Sequence, residues 1–263
     1  MQDSWSSWTI YPDIVIGLLL LLGIYLLLSG PLKKNFTFKS VEPKPGQIFL
    51  FISGIILFFV TETGPIHDLA EQSSFSMHML QHVCLTLIIP PMLLAGIADW
   101  MIIPIEKNKL LNKSRKFISH PLIAFSLFNI TFAIWHLPIL YELTLKFHAV
   151  HIIEHLTFLI TSTILWWPIL APIQRFRLNY PMQIGYIFLI PIAQLIVFGP
   201  ITFASNVIYP HYQLTEKIWG LSAIEDQQLG GVIMKVASMI IFLFFLILIF
   251  FSWYSKERSS KKN

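Results

Sequence analysis

The chain has 263 residues; 55% are hydrophobic, only 12% are charged, and the formal net charge is +4. A soluble globular domain carries about twice that charged fraction, so the composition excludes a soluble enzyme or nucleic-acid module and indicates an integral membrane protein. The single cysteine, Cys84, rules out an intramolecular disulfide and any cysteine-based metal motif.

The first thirteen residues, MQDSWSSWTIYPD, lack the positive region of a signal peptide. The apolar run that follows is long enough to remain as a transmembrane helix. Six further apolar stretches give spans at 10–29, 47–61, 76–98, 120–137, 148–170, 182–205 and 230–253. The expected fold is all-α, a single membrane domain over residues 1–263 built as a bundle of seven transmembrane helices. Helices are required because lipid cannot satisfy an open backbone. Lysine and arginine set the orientation. Alternate connections carry fifteen basic residues against two, with Lys235 left near the start of the last span. The positive-inside rule then places the N-terminus outside and the C-terminus in the cytoplasm.

With that orientation eight of the nine histidines fall on the outer side, and only His120 on the inner. His78 and His82, in HMLQH at the start of span 3, are one helical turn apart and share a face. His136 closes span 4. His151 and His155 repeat the i, i+4 spacing at the start of span 5, with His148 one turn above and Glu154 beside them. Ionisable groups at this depth face a partner or a cavity. Imidazole is the commonest metal-ligating side chain, so His78, His82, His136, His151 and His155 are candidate ligands. Met77, Met79 and Met234 are candidate soft ligands for entry or exit, and His148, Glu154 and Asp226 are candidate secondary or relay groups. Thioethers favour Cu(I), while imidazoles alone suit copper or zinc. Zinc and heme stay open as alternatives to copper. His67, His120 and His211, taken singly, read as structural.

Three other stretches shape the spans. Pro90 and Pro91 are expected to kink span 3. WWP at 166–168 reads as an interfacial tryptophan anchor. Asp226 is placed to cap the last span, and Gly230 and Gly231 to permit close helix contact.

Taken together, GPIHDLAEQSSFSMHMLQH with IIPPMLLAG, the run WHLPILYELTLKFHAVHIIEHLTFLITSTILWWPIL, and YPHY with DQQLGGVIMK resemble the CtaG-type cytochrome c oxidase assembly factors of Gram-positive bacteria, which serve a caa-type oxidase. The resemblance runs from about residue 47 to 250. It departs from the pattern at Gly96-Ile97-Ala98, where a Gly-x-Pro-like step is expected. It implies a seven-span protein of the bacterial plasma membrane that helps mature a heme–copper oxidase, with copper supply as its usual proposed role. The matching polar positions are His78, His82, His136, His151, His155 and Asp226. The expected function is therefore a non-enzymatic assembly factor that binds Cu(I), with an oxidase subunit or another assembly factor as partner and no nucleic acid. A seven-span zinc hydrolase, with Glu154 or Asp226 as general base, is the enzyme alternative.

Overall fold

A computed structural model describes residues 8–30, 43–102, 107–118, 120–215 and 219–260. Regular structure among them is entirely helical. Six helical stretches are long and apolar enough to cross a membrane: Pro12–Ser29, Pro45–Gln72, Phe75–Gly96, His148–Leu170, Tyr180–Thr202 and Ala223–Ser260. A seventh crossing exists if the bent pair Pro121–Trp135 and Pro138–Lys146 counts as one span. The basic residues of 31–42 and Lys217, which the orientation reading uses, lie outside the described residues.

The helices are α1 (Pro12–Ser29), α2 (Pro45–Thr63), α3 (Pro65–Gln72), α4 (Phe75–Val83), α5 (Ile89–Gly96), α6 (Lys109–Ile118), α7 (Pro121–Trp135), α8 (Pro138–Lys146), α9 (His148–Leu170), α10 (Tyr180–Ala193), α11 (Leu195–Thr202) and α12 (Ala223–Ser260). Their breaks follow the prolines. In WHLP, Pro138 forces Leu137 into extended backbone at φ −67°, ψ 130°. The chain therefore turns by 72° between α7 and α8, with His136 at the corner. Span 4 thus ends at Trp135 and does not run on to residue 137.

The stretch ETGPIHDLAEQ, read from sequence as part of a loop, is helical instead. α2 runs to Thr63, Gly64 caps it, and Pro65 opens α3. α2 thus carries Glu62, and α3 carries His67 and Glu71.

Span 3 holds the expected irregularity in the form of a π-helical turn, Cys84–Ile88, between α4 and α5. Pro90 has no N–H and its ring crowds the carbonyl four residues earlier. That carbonyl belongs to Thr86, and it accepts a hydrogen bond from Trp166 Nε1 at 3.0 Å. Trp166 is consequently fully buried, packed on Phe242 and Phe245. It is a core residue that satisfies a freed carbonyl, and the interfacial-anchor reading fails for it.

Small residues let the helices approach closely. A Cβ at Gly96 would lie 2.6 Å from Phe51 Cβ and 2.9 Å from the Gln47 carbonyl oxygen on α2. On α12, a Cβ at Gly230 would meet the Phe75 ring and lie 3.1 Å from Met79 Cγ, and one at Gly231 would lie 3.0 Å from Thr202 N. Outside this packing, Leu19, Leu20, Phe49, Ile196 and Ile240 are exposed, as expected of a lipid-facing surface.

Candidate metal centre

The site lies where α4 meets α9, near the starts of both helices. α4 is fixed at its N-terminus by Ser74, whose hydroxyl accepts from Met77 N at 3.3 Å. Asp226, from the first turn of α12, adds a second clamp. Its carboxylate accepts from Ser74 Oγ at 2.8 Å, Phe75 N at 2.7 Å, Ser76 N at 3.4 Å and Ser76 Oγ at 2.5 Å. A carboxylate here satisfies orphan N–H groups and the positive end of the helix dipole. Asp226 therefore caps α4, and the structure does not bring it into the histidine cluster.

The two i, i+4 pairs face each other. His78 Nε2 lies 2.9 Å from His82 Nε2, and His151 Nε2 lies 2.8 Å from His155 Nε2. Within each pair the rings stand at 90° and 80°. Across the helices, His78 stacks on His151 at 5.5 Å between ring centres, and His82 meets His155 at 5.4 Å. Glu154 Oε1 lies 3.6 Å from His82 Nε2, and its Oε2 3.9 Å from His78 Nε2. Single donor atoms of His78, His82, Glu154 and His155 all lie within 4.8 Å of one another, and all four residues are buried.

Two carboxylates set the protons. Glu62 Oε2 is 2.6 Å from His155 Nδ1, and Glu71 Oε1 hydrogen-bonds His151 Nδ1. A carboxylate accepting from Nδ1 fixes the proton there and leaves the Nε2 lone pair free. Two such lone pairs then point at each other across 2.8 Å. That geometry calls for a shared cation between them, either a proton or a metal ion. Nitrogens bound to one tetrahedral ion at about 2.0–2.1 Å lie roughly 3.3 Å apart, so a small spreading of the rings would admit a metal.

Several buried polar atoms around this point have no hydrogen-bond partner: both oxygens of Glu154, Nδ1 of His78 and of His82, and Nε2 of His136. Each such atom costs about 1–3 kcal/mol, and more if charged. His136 is anchored through Nδ1 to the Phe132 carbonyl at 2.7 Å, its ring 5.8 Å from that of His82. Its backbone carbonyl accepts from Tyr209 Oη at 2.9 Å. Burial raises the Tyr209 pKa above its ordinary value, which keeps that phenol a donor. Tyr141 and Tyr212, joined hydroxyl to hydroxyl at 2.9 Å, roof the same end.

The remaining expected residues separate. Neighbours of His78 on a helix point away from its face: Met79 packs in the main core against Gly230, and Met77 packs with Leu69 and Ala70. Met234 alone stays close, sharing a small gap with His82 and Gln194. His148 is half-exposed, 3.7 Å from Asp13. His211 Nε2 donates to the Glu71 carbonyl at 3.2 Å, a structural role as expected. His67, read as structural, sits beside the centre with its ring stacked on His151 at 5.3 Å. Glu62 and Glu71 are residues that sequence reasoning passed over, and His67 one that it assigned a structural role. Their available signal was the i, i+4 spacing of His67 and Glu71 in a chain poor in charge.

A sequence profile described as cytochrome c oxidase caa3 assembly factor matches residues 23–256. The chain belongs to that family. It is thus a multi-pass membrane protein of a family that assembles cytochrome c oxidase. The chain also matches curated mycobacterial proteins described as uncharacterized. Those of Mycobacterium bovis and Mycobacterium tuberculosis are 26% identical over 204 residues, 71% of this chain and 31% of theirs. One from Mycobacterium leprae is 24% identical over 226 residues, 79% of this chain and 34% of its own length. The chain therefore spans about a third of the length of these relatives. No solved structure matches it.

Proposed function

We propose that this protein acts as an oxidase assembly factor that holds a copper ion between α4 and α9 and delivers it to an oxidase subunit. The observation that carries the reading is the pair of Nε2 lone pairs, on His151 and His155, turned toward each other by Glu71 and Glu62. His78, His82 and His155 supply nitrogen ligands and Glu154 an oxygen, with His151 Nε2 a further nitrogen 2.8 Å from His155 Nε2. His136, with its unpartnered Nε2, and Met234 stand next to His82 as ligands for exchange. Bound copper would bring the redox-active ion that a heme–copper oxidase needs. The imidazoles hold it, the carboxylates orient them, and the tyrosine roof limits water. Imidazole-rich donors accept both Cu(I) and Cu(II), and the spare ligands suit transfer better than a closed cage does.

The test is elemental analysis of detergent-purified protein loaded anaerobically with Cu(I) and desalted. Wild type should retain one copper per chain, and His78→Ala/His155→Ala should retain none at this centre. A wild-type chain that takes up zinc and refuses copper would replace this reading with the zinc one, which the Glu154 oxygen favours.

The proposal also keeps the histidine end outside and the C-terminus in the cytoplasm. In whole cells, a Ser259→Cys variant should resist a membrane-impermeant maleimide and react only after permeabilisation. Labelling of intact cells would reverse the orientation.

A further inference from the structure

A second group of donors stands beside the first. His67 Nε2 lies 3.6 Å from Glu71 Oε2, and Glu71 Oε1 hydrogen-bonds His151 Nδ1. One donor atom from each of the three residues falls within 4.8 Å of the others. His67 is only 2% exposed, yet its Nε2 has no hydrogen-bond partner. The ring is not free to turn away, because Gln81 Nε2 holds its Nδ1 at 2.8 Å and also donates to the Thr61 carbonyl at 3.2 Å. A buried, oriented, unpartnered imidazole nitrogen aimed at a carboxylate is the geometry of a ligand.

The two groups differ in access. Glu71 is partly exposed, at 23% of its side chain, whereas Glu154 and His78 are fully buried. A cavity of about 290 Å³ opens between α1 and α9. Asp13 and His148 line it, and it reaches His67, His151, Glu62 and His155. An ion entering there meets His67 and His151, with His155 the one inner imidazole on the same cavity wall and His78 and His82 behind it. His151 belongs to both groups, through Nδ1 on the outer side and Nε2 on the inner.

We infer that His67, Glu71 and His151 form a second metal site, an entry site that receives the ion and passes it inward past the shared His151 ring. Two imidazoles and a carboxylate suit a borderline divalent ion such as Cu(II) or Zn(II). Binding at Nδ1 moves the His151 proton to Nε2, where the His155 Nε2 lone pair 2.8 Å away accepts it as a hydrogen bond. On His67 the remaining proton moves to Nδ1, which the Gln81 amide accepts by exchanging its oxygen and nitrogen, giving up its bond to the Thr61 carbonyl. When the ion moves on to the inner nitrogens, His151 Nδ1 regains its proton and its bond to Glu71. The existence of this site does not depend on the inner one; only the direction of transfer rests on the function proposed above.

The test uses the full chain in detergent, with Cu(II) as the probe. His78→Ala/His155→Ala, which lacks the inner centre, should still bind one Cu(II), with electron paramagnetic resonance showing two coordinated nitrogens. Adding His67→Ala should abolish that signal. In the otherwise wild-type chain, His67→Ala should slow copper loading of the inner centre by about tenfold or more while the final content of that centre is unchanged. Thermal unfolding of each variant shows that it is folded, and His67→Gln serves if His67→Ala is not. If the inner-centre variant binds no Cu(II) while wild type retains its copper, the entry site is overturned and the inner site stands. If wild type and the inner-centre variant each bind a single Cu(II) that His67→Ala removes, the entry site stands and the copper-delivery reading falls.

Discussion

Asp226→Ala should destabilise the protein by on the order of 3–5 kcal/mol, one of the largest single-residue losses expected in the molecule. The carboxylate accepts four hydrogen bonds from residues 74–76, and Asp226 itself is buried. Hydrogen bonds to a charged group contribute about 1.5–3 kcal/mol each, but they share one carboxylate and do not add. Removing it leaves the Phe75 N–H without its bond at the start of α4, one turn before His78. Asp226→Asn keeps the shape and loses the charge, so it should fall between wild type and alanine. Thermal unfolding in detergent measures the loss. A copper-relay role predicts a different pattern, in which Asp226→Ala has a normal midpoint and lowered copper content, and that result would sink the clamp assignment.

Glu154→Leu should move stability and metal binding in opposite directions. Glu154 is fully buried, and neither carboxylate oxygen has a hydrogen-bond partner. The nearby Thr144 hydroxyl is committed to the Tyr141 carbonyl. Without an ion, the carboxylate bears a desolvation cost with only the imidazoles to offset it. Replacing a buried polar group that has no hydrogen-bond partner by an apolar one of similar volume removes a cost of about 1–3 kcal/mol. The metal-free variant should therefore unfold at a higher temperature than metal-free wild type. Copper should stabilise wild type more than the variant, because the oxygen ligand is gone and affinity falls by about 10–100-fold. Equal copper-induced shifts in the two proteins would remove Glu154 from the ligand set. A lower midpoint for the metal-free variant would show that Glu154 is held by its imidazole neighbours alone.

Both predictions depend on one feature of the fold. Proline-directed breaks let polar side chains enter an apolar bundle without leaving the backbone unpaired. Pro138 sets His136 at a corner, and Pro65 starts the helix that carries His67 and Glu71. Pro90 frees the Thr86 carbonyl that Trp166 then satisfies. In lipid each unsatisfied group would cost several kcal/mol, so the breaks and their partners come together.

The sequence by itself determined the membrane class, the placement of most spans and the two histidine pairs. These are local properties: apolar runs of bilayer length, and i, i+4 spacing that puts two side chains on one helical face whatever surrounds them. His148–Leu170 could be read to the residue because its pattern is continuous. Only the tertiary structure decided which faces meet. Met77 and Met79 flank His78 in sequence, yet helical rotation carries them into other packing clusters. Asp226 lies 152 positions from Ser74 and still caps its helix. Glu62 and Glu71 reach His155 and His151 from 93 and 80 positions away. No sequence period encodes contacts at such separation; they follow from how α2, α3, α4, α9 and α12 pack, and those contacts fix the protons and the lone pairs on which the site's chemistry depends.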